Sequence, residues 1–578
     1  MSDPSPAAEI EAVAGAKRPL NDDQPQESKL LHQVRVDNLP MSDIKEIKQF
    51  LKDKGFQSIS KAPKWRYAMC TFESEAEAQQ AMDNLKDVQY KGKLLTTKSF
   101  TQSEESYRDR FNKKKKNNKK NEPAPEDDTR TPAERLAFQV TPLFNVPYED
   151  QLKQKKKILM KTMYELKKKI GEMKDQSERS KGQVDWSTEP GFPFGEMEVV
   201  ASPEVDGYRT KCEFTVGKDL DGQITVGFLL GLFRHGIVNV LDPSETKNVP
   251  EIAKKIAANM QEYIRASEYP IYDREEKKGV WRTIMTKTQR TGDVLLLIQI
   301  KPEDMTEEQV AALKQDLLTY WTSDAMKNDK GIVVTTLIVQ VWDGLSNGIT
   351  DRGTDDILYG DGYVYEELLG SRFRLSSSAF FQVNTPACEL LYSKCADWCN
   401  LDKTKRTTLL DLCCGTGTIG ITMAKDVERV IGVDIVPEAI VDARANAERN
   451  NVTNATYFAN KVEDRLDVLT RKEDEEIVAV LDPPRNGVHA SVIRAIRESP
   501  AIDKVIYISC DAKQALSNFV SLCRPESNRF SGKPFVPKRT AAVDLFPHTQ
   551  HCELVIEFER IPSTTNDTAI IDTTDVPA

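Results

Sequence analysis

Two segments near the C-terminal end carry side chains that could do covalent chemistry. The run Ile506-Tyr-Ile-Ser509-Cys510-Asp511 puts a cysteine at the end of a short apolar strand. In an open parallel sheet, ligands bind just beyond the carboxyl ends of the strands, so Cys510 is placed to meet one. Further on, Phe546-Pro-His-Thr-Gln-His551-Cys552-Glu553-Leu-Val opens the last strand on a glutamate. A thiol and a carboxyl group suit a reaction on a weakly nucleophilic carbon such as C5 of uracil. A thiolate added to C6 makes an enolate, and the C5 of that enolate can attack a sulfonium methyl group. A base must then remove the C5 proton before the thiol can leave. Cys510 would be the nucleophile, helped by a lowered pKa, and Glu553 the base. On position alone, a cysteine is more often a buried hydrophobe, and a glutamate on a strand is ordinarily exposed. His548 and His551 read as hydrogen-bond partners, because no third ligand of suitable spacing is near. Cys552 reads as core.

A glycine loop precedes both. The strand Leu409-Leu410-Asp411-Leu412 runs into Gly415-Thr-Gly417-Thr-Ile-Gly420, and helical residues follow. Glycines there let the backbone approach a ligand at a helix N-terminus. Asp434 ends the next strand, 19 residues after Gly415, where an acid can accept hydrogen bonds from ribose hydroxyls. The same loop is a literal dinucleotide fingerprint, so NAD is a competing expectation. Three features favour S-adenosylmethionine. Asp411 precedes the first glycine by four residues, as in class I methyltransferases. No separate domain for hydride transfer follows. The fourth strand ends in Asp482-Pro483-Pro484-Arg485. A lone glycine loop is ordinarily a tight turn; loop, ribose acid and Asp-Pro-Pro in this order make one constellation.

These groups need a sheet to position them. Residues 405–560 alternate strands and helices. Thr408–Leu412, Arg429–Val433, Ile477–Leu481 and Lys504–Ser509 are short, continuous and β-branched, which suits a parallel sheet buried on both faces. Glu553–Phe558 alternates and closes the run. The α/β unit, a Rossmann-like domain, is expected over 381–560. Residues 195–380 predict an antiparallel α+β domain. Its strands are Glu196–Ala201, Arg209–Val216, Ile224–Leu230, Thr283–Thr288, Val294–Ile300 and Ile332–Gln340, with helices over Pro250–Ala266 and Glu307–Thr322. Residues 140–180 form a helical linker whose helix covers 149–174. Leu152, Leu159, Met163, Leu166, Ile170 and Met173 make one apolar stripe, and lysines load the other faces. The ordinary reading is a solvated helix packed on one stripe; an RNA-facing lysine surface is the other.

The N-terminal quarter reads as a compact unit followed by a linker. Residues 33–100 predict strands at Gln33–Asp37, Tyr67–Phe72 and Lys93–Thr97, with helices at Asp43–Lys54 and Ser74–Leu85, a ferredoxin-like order. Residues 1–30 and 561–578 read as disordered. Residues 101–135 read as a linker holding Lys113–Lys116 and Lys119–Lys120 before an acidic run. That lysine run would suit nuclear import or phosphate binding.

Composition excludes several classes. Charged residues make up 29% of the chain, and no apolar run approaches a membrane span. The N-terminus has neither a basic n-region nor an apolar core, so no secretory signal is expected. Ten cysteines, with no CxxC among them, fit reduced thiols in a cytoplasmic or nuclear protein. The net charge of −10 argues against a nucleic-acid partner only globally, because local patches bind phosphates.

From about residue 195 to 560 the chain resembles the tRNA (uracil-5-)-methyltransferase family, which shares its fold with ribosomal RNA uridine-C5 enzymes. The resemblance rests on Gly207-Tyr208-Arg209-Thr-Lys211-Cys-Glu213-Phe214, Phe380-Phe381-Gln382-Val383-Asn384, Asp411–Gly417, Asp482-Pro-Pro-Arg485-Asn-Gly487, Ser509-Cys510 and His551-Cys-Glu553. It implies a class I Rossmann-like methyltransferase with an RNA-facing insert and an N-terminal RRM. It also implies Cys510 as nucleophile and Glu553 as proton acceptor. Gln382, Asp434 and Asp482 would contact S-adenosylmethionine, with Gly415 and Gly417 beside it and no metal or iron–sulfur cluster. Tyr208, Arg209 and Lys211 would face RNA. The front domain followed by Val140–Tyr148 points to the branch whose substrate is the uridine at position 54 of the tRNA T-loop. The absence of a four-cysteine cluster in the sequence agrees with that branch. Cys413 departs from relatives that place an aromatic beside the cofactor. The RRM departs too: Arg35 stands where RNP2 carries an aromatic, and RNP1 supplies Tyr67 and then Met69. Arg35 and Tyr67 are its candidate RNA contacts, and a protein-binding or spacing role is equally open. Competing functions are methylation of ribosomal or messenger RNA, and an RNA-binding protein of low activity. A spent enzyme would have lost Cys510, Glu553 or the glycine loop, and all three are present.

Overall fold

The computed structural model describes residues 30–41, 43–56, 58–61, 65–72, 74–103, 130–173, 182–191, 195–231, 238–274, 276–344, 348–350, 352–399, 406–466, 475–528 and 530–561. The expectations for residues 1–29, for the lysine run and for the tail from 562 lie outside these residues. The chain divides into two compact units, 1–129 and 130–578.

The first unit holds a sheet in the order Ala68–Phe72, Leu30–Asp37, Thr96–Ser103, antiparallel throughout. Alternation explains its two faces: Val34 and Val36 are buried against Ile47 and Leu51 of the helix Ile44–Asp53, and Arg35 points the other way. Ser74 caps the second helix, Glu75–Asp83, by accepting the Glu77 N–H. The anticipated strand Lys93–Thr97 is divided. Lys91 and Gly92, both with positive φ, turn a short hairpin of Gln89–Tyr90 and Lys93–Leu94, and the long strand begins at Thr96. A single bridge, Ser60 to Met69, stands beside Ala68–Phe72.

In the second unit a seven-stranded sheet carries the central domain. Its order is Thr354–Tyr359, Thr336–Val341, Val294–Ile300, Trp281–Thr288, Lys211–Lys218, Ile224–Leu229, Val240–Leu241. The sheet is mixed, not antiparallel throughout: Val294–Ile300 and Thr336–Val341 run parallel, because the helix Glu307–Thr322 between them serves as a crossover. Ile284, Leu296 and Ile298 pack on the helices Glu251–Ala266 and Glu307–Thr322. Met285, Leu295 and Leu297, one residue out of phase, join the catalytic core instead. Burial on both faces explains why these strands read as unbroken apolar runs.

The catalytic sheet has eight strands. Five are parallel, in the order third (Ala455–Ala459), second (Arg429–Asp434), first (Arg406–Leu412), fourth (Glu475–Leu481) and fifth (Lys504–Ser509). Glu553–Arg560 pairs antiparallel with the fifth, then Phe535–Val543, then Glu198–Val200. Glu198–Val200, expected in the central domain, therefore lies at the edge of the catalytic sheet. The hairpin Tyr363–Leu368 and Ser371–Ser376 also belongs to the catalytic core, through Val364, Leu368, Phe373 and Leu375. The long helix is Tyr148–Gly171, and Leu159, Met163, Leu166 and Ile170 of its stripe are buried with Phe519, Phe535 and Phe558. Each such side chain stabilises the packing by roughly 1.5–3 kcal/mol. Among the described residues no helix is long and apolar enough to cross a membrane.

Candidate active site

The first parallel strand ends at Leu412 and turns at Cys413, which is half-buried with φ 67°. Gly415 and Gly417 follow with φ of 53° and 80°. A Cβ on Gly417 would stand 3.0 Å from the Tyr457 hydroxyl and 3.1 Å from the Ala443 Cβ, so the chain passes where a side chain would crowd it. Asp434 closes the loop from the second strand. Its Oδ2 accepts the Gly415 N–H at 2.9 Å and its Oδ1 accepts the Val436 N–H at 2.9 Å. Each oxygen keeps a lone pair for a ligand hydroxyl. Asp411 is 1% exposed; its Oδ2 accepts the Gly420 N–H at 2.9 Å, and its buried Oδ1 has no partner. Burial pushes its carboxyl up to about 7; the Gly420 N–H opposes, and Asp482 and Asp434 add to the rise.

Gln382 and Asp482 meet on the same side of the sheet, with Gln382 Nε2 donating to Asp482 Oδ2 at 3.3 Å. Burial raises Asp482 to about 6 against that hydrogen bond. The segment leading to Gln382 is held from the central sheet: Lys287, 2% exposed, donates to the carbonyls of Ser376 and Ala379 at 2.6 and 2.9 Å. Burial lowers its ammonium to about 7.

Cys510 and Glu553 come together by strand register. Ser509 lies opposite Leu554 in the antiparallel ladder, and one step further along stand Cys510 and Glu553. Glu553 is 2% exposed, and its Oε2 has no hydrogen-bond partner. Burial, and then Asp482, hold its carboxyl well above the usual carboxylate range, with Arg485 opposing. Cys510 is pushed up to about 12 by burial, then by Glu553 and Asp482, again with Arg485 opposing. The lowered thiol pKa anticipated from the chemistry is thus reversed in the free protein. The cause is a half-buried thiol facing two acids, with the counteracting arginine exposed to solvent and screened.

The Asp482–Gly487 turn that carries Arg485 is pinned by Asn518, which sequence reasoning missed. Asn518 Oδ1 accepts the Val488 N–H and the Tyr507 hydroxyl, both at 2.8 Å, and its amide donates to the Val488 carbonyl at 3.0 Å. A Cβ on Gly487 would fall 2.1 Å from that Oδ1. An asparagine on the buried face of the helix Ala512–Cys523 was the available signal.

The other anticipated contacts are dispersed. Tyr208, expected to face RNA, is 2% exposed and donates its hydroxyl to the Pro547 carbonyl at 3.0 Å. The ring is spent on internal packing and offers an RNA no surface. Arg209 is half-buried, and Lys211 is partly exposed and pairs with Glu213 at 3.0 Å. In the first unit the Arg35 guanidinium lies over the Tyr67 ring at 4.0 Å, and Trp65 stacks on Tyr67 at 4.7 Å. A base stacking on Tyr67 would have to displace one of them. His548 is buried, with Nε2 2.7 Å from Asp206 Oδ1. Among the described residues no group of three or more His, Cys, Asp or Glu could hold a metal ion.

A sheet ordered third, second, first, fourth, fifth, with an antiparallel pair beyond the fifth strand and a glycine loop after the first, defines a Rossmann-like class I methyltransferase. The profile of the family described as tRNA (Uracil-5-)-methyltransferase matches residues 352–561. The human tRNA (uracil-5-)-methyltransferase homolog A is 36% identical over 502 residues, spanning 86% of this chain and 76% of that protein. The Danio rerio homolog B is 36% identical over 437 residues, 74% of this chain and 87% of that one. The chain belongs to the tRNA (uracil-5-)-methyltransferase family. Among solved structures, the Pyrococcus abyssi tRNA (uracil-54, C5)-methyltransferase in complex with S-adenosyl-L-homocysteine shares the fold. Its TM-score is 0.51 at 21% identity, covering 72% of this chain and 84% of that one.

Proposed function

We propose that this protein methylates C5 of a uridine in tRNA, the uridine at position 54 of the T-loop, with S-adenosylmethionine as methyl donor. The observation that carries the reading is the register that sets Cys510 and Glu553 side by side, next to Asp482 and Gln382. The donor pocket fits the residues present. Asp411 Oδ1 is a buried acceptor without a partner, Asp434 retains acceptor capacity for ribose hydroxyls, and the space beside the Gly415 Cα is empty, which leaves the backbone there open to close approach. When bound, S-adenosylmethionine supplies a methyl group on a sulfonium that C5 of the activated uracil attacks.

The chain's own residues do the rest. The Cys510 thiolate adds to C6, and C5 becomes nucleophilic. Glu553 then takes the C5 proton, the C5=C6 bond re-forms and the Cys510–C6 bond breaks. Burial and the neighbouring acids favour the protonated forms of both Cys510 and Glu553 in the free protein, so substrate binding has to favour the thiolate. A uridine stacked inside a folded T-loop must be extracted before a thiolate can reach C6. The test is incubation of an unmodified tRNA transcript with the purified protein and S-adenosylmethionine, followed by nucleoside mass spectrometry. 5-Methyluridine should appear, and replacing U54 by cytidine should abolish it. A product elsewhere in the tRNA, or none, would refute the reading.

A further inference from the structure

The loop 544–552 joins the last two strands of the catalytic sheet, and its two ends, Val543 and Glu553, face each other in the ladder. The shape of this loop therefore sets where the Glu553 strand begins. Four successive carbonyls in it are each held from another part of the chain. Asn384 Nδ2 donates to Leu545 O at 3.2 Å, Lys155 Nζ to Phe546 O at 3.0 Å, Tyr208 Oη to Pro547 O at 3.0 Å, and the Leu143 N–H to His548 O at 2.9 Å. One of these residues, Lys155, sits on the lysine-rich helix Tyr148–Gly171 together with Gln151, which holds the loop through the His548 N–H, and neither is solvated as that helix's sequence suggests. Lys155 and Asp544 are both 0% exposed, with Nζ 2.6 Å from Asp544 Oδ1. The same Oδ1 accepts the Phe546 N–H at 3.0 Å. Gln151, also 0% exposed, accepts the His548 N–H at 2.8 Å, and its amide reaches the carbonyls of Leu143 and Val146 and the His548 Nδ1.

We propose that Lys155 and Gln151 are positioning residues for the proton-removal step: by clamping the loop 544–552 they hold Glu553 where it can reach the C5 proton of the methylated adduct. The proposal rests on the assignment of Glu553 as the base. A buried ion pair is a poor choice for stability alone, since an apolar pair of similar volume packs about as well. A single ammonium catching Asp544 and Phe546 at once supplies direction, which an apolar contact does not. The lysine-rich helix is then part of the active-site scaffold, although it lies 389 residues before its ion-pair partner.

The step it serves is simple to isolate. With the methyl already on C5, Glu553 takes the C5 proton, the C–H electron pair re-forms C5=C6, and the Cys510–C6 bond breaks to release the thiolate. If Glu553 is misplaced, bond-making at C5 proceeds and this elimination stalls, leaving a denaturant-stable protein–tRNA species. The experiment compares the full-length protein with its Glu553→Gln, Lys155→Met and Lys155→Met/Asp544→Asn variants on unmodified tRNA with S-adenosylmethionine. It reads single-turnover methyl incorporation, multiple-turnover release and adduct on denaturing gels. The double variant leaves no uncompensated buried charge, so it folds where the single variant fails to.

Lys155→Met and the double variant should lose about 10- to 100-fold in turnover, the scale of an ångström-sized misplacement. Methyl incorporation should change little, and adduct should accumulate as in Glu553→Gln. Lys155→Arg should recover part of the release rate. Release at the parental rate in the double variant would overturn the proposal. So would incorporation and release falling together without adduct, or loss of the folded protein in every variant, which would assign these residues to stability alone. If Glu553→Gln itself forms no adduct, the base assignment fails, and the positioning proposal with it.

Discussion

Replacing Asp411 by asparagine should change how stability depends on pH, and the structure sets the size of the change. Asp411 is 1% exposed, has one oxygen without a partner, and is raised from 3.8 to about 7, chiefly by burial. An acid with a raised folded pKa keeps a proton that the unfolded chain has already released. Its effect on stability is therefore neutral below pH 3.8, and stability falls as pH rises from 3.8 to about 7 and levels off above that. At 1.36 kcal/mol per pH unit, that window corresponds to a loss of roughly 4 kcal/mol. Asp411→Asn preserves an acceptor for the Gly420 N–H and does not titrate. Asp482 titrates in both proteins and largely drops out of the comparison. The stability of the variant relative to the parent should thus rise by roughly 3 kcal/mol between pH 4.5 and pH 8, since about 1 kcal/mol of the loss has already occurred by pH 4.5. Native-state hydrogen exchange at the amides of Arg406–Leu412, measured without cofactor at both pH values, reads the opening free energy of this strand directly. A difference that stays constant within about 1 kcal/mol would mean that Asp411 is charged or hydrated in the folded protein.

Two other outcomes follow from the same geometry. Asp434→Ala removes a charge-assisted acceptor worth about 1.5–3 kcal/mol and frees the Gly415 N–H. S-adenosylmethionine affinity by calorimetry should fall at least tenfold, while tRNA affinity without cofactor stays the same; an unchanged cofactor affinity would place the ribose elsewhere. Deleting residues 1–130 should weaken tRNA binding and flatten its salt dependence, because phosphate contacts release counterions. It should leave single-turnover methylation intact; equal affinity across a salt series would show that the N-terminal unit does not touch the tRNA.

Much of the site was legible in the sequence because its signals are local. The strand Arg406–Leu412 leads into the glycine loop without a break, and Asp434, Asp482 and Cys510 all stand at or just past the carboxyl ends of parallel strands. A run of β-branched residues is enough to place such ends. What escaped depends on partners distant in the chain. Lys155 and Gln151 look like solvent-facing residues of a lysine-rich helix, and nothing within that helix announces Asp544 or His548. Tyr208 belongs to a segment that resembles an RNA-facing insert, yet its ring points inward to Pro547. The edge strand Glu198–Val200 precedes the central domain in sequence and pairs across the catalytic sheet with Phe535–Val543. The central sheet read as antiparallel because apolar strands carry no mark of direction; only the helix Glu307–Thr322 makes a parallel pair possible. The Cys510 thiol was expected to be acidified, and burial, with the two carboxyls that only the fold brings beside it, pushes it the other way.

The proposed reaction turns on a bond between Cys510 and C6 of the target uracil. A tRNA carrying 5-fluorouridine at the target position tests it directly, because fluorine at C5 cannot leave as a proton does and the adduct is trapped after methyl transfer. With S-adenosylmethionine present, the full-length protein should form a denaturant-stable complex with this tRNA, and mass spectrometry of its peptides should place the nucleotide on Cys510. Cys510→Ala should bind the cofactor as the parent does and form no complex. A complex that persists in Cys510→Ala, or a nucleotide found on another residue such as Cys413, would contradict the account.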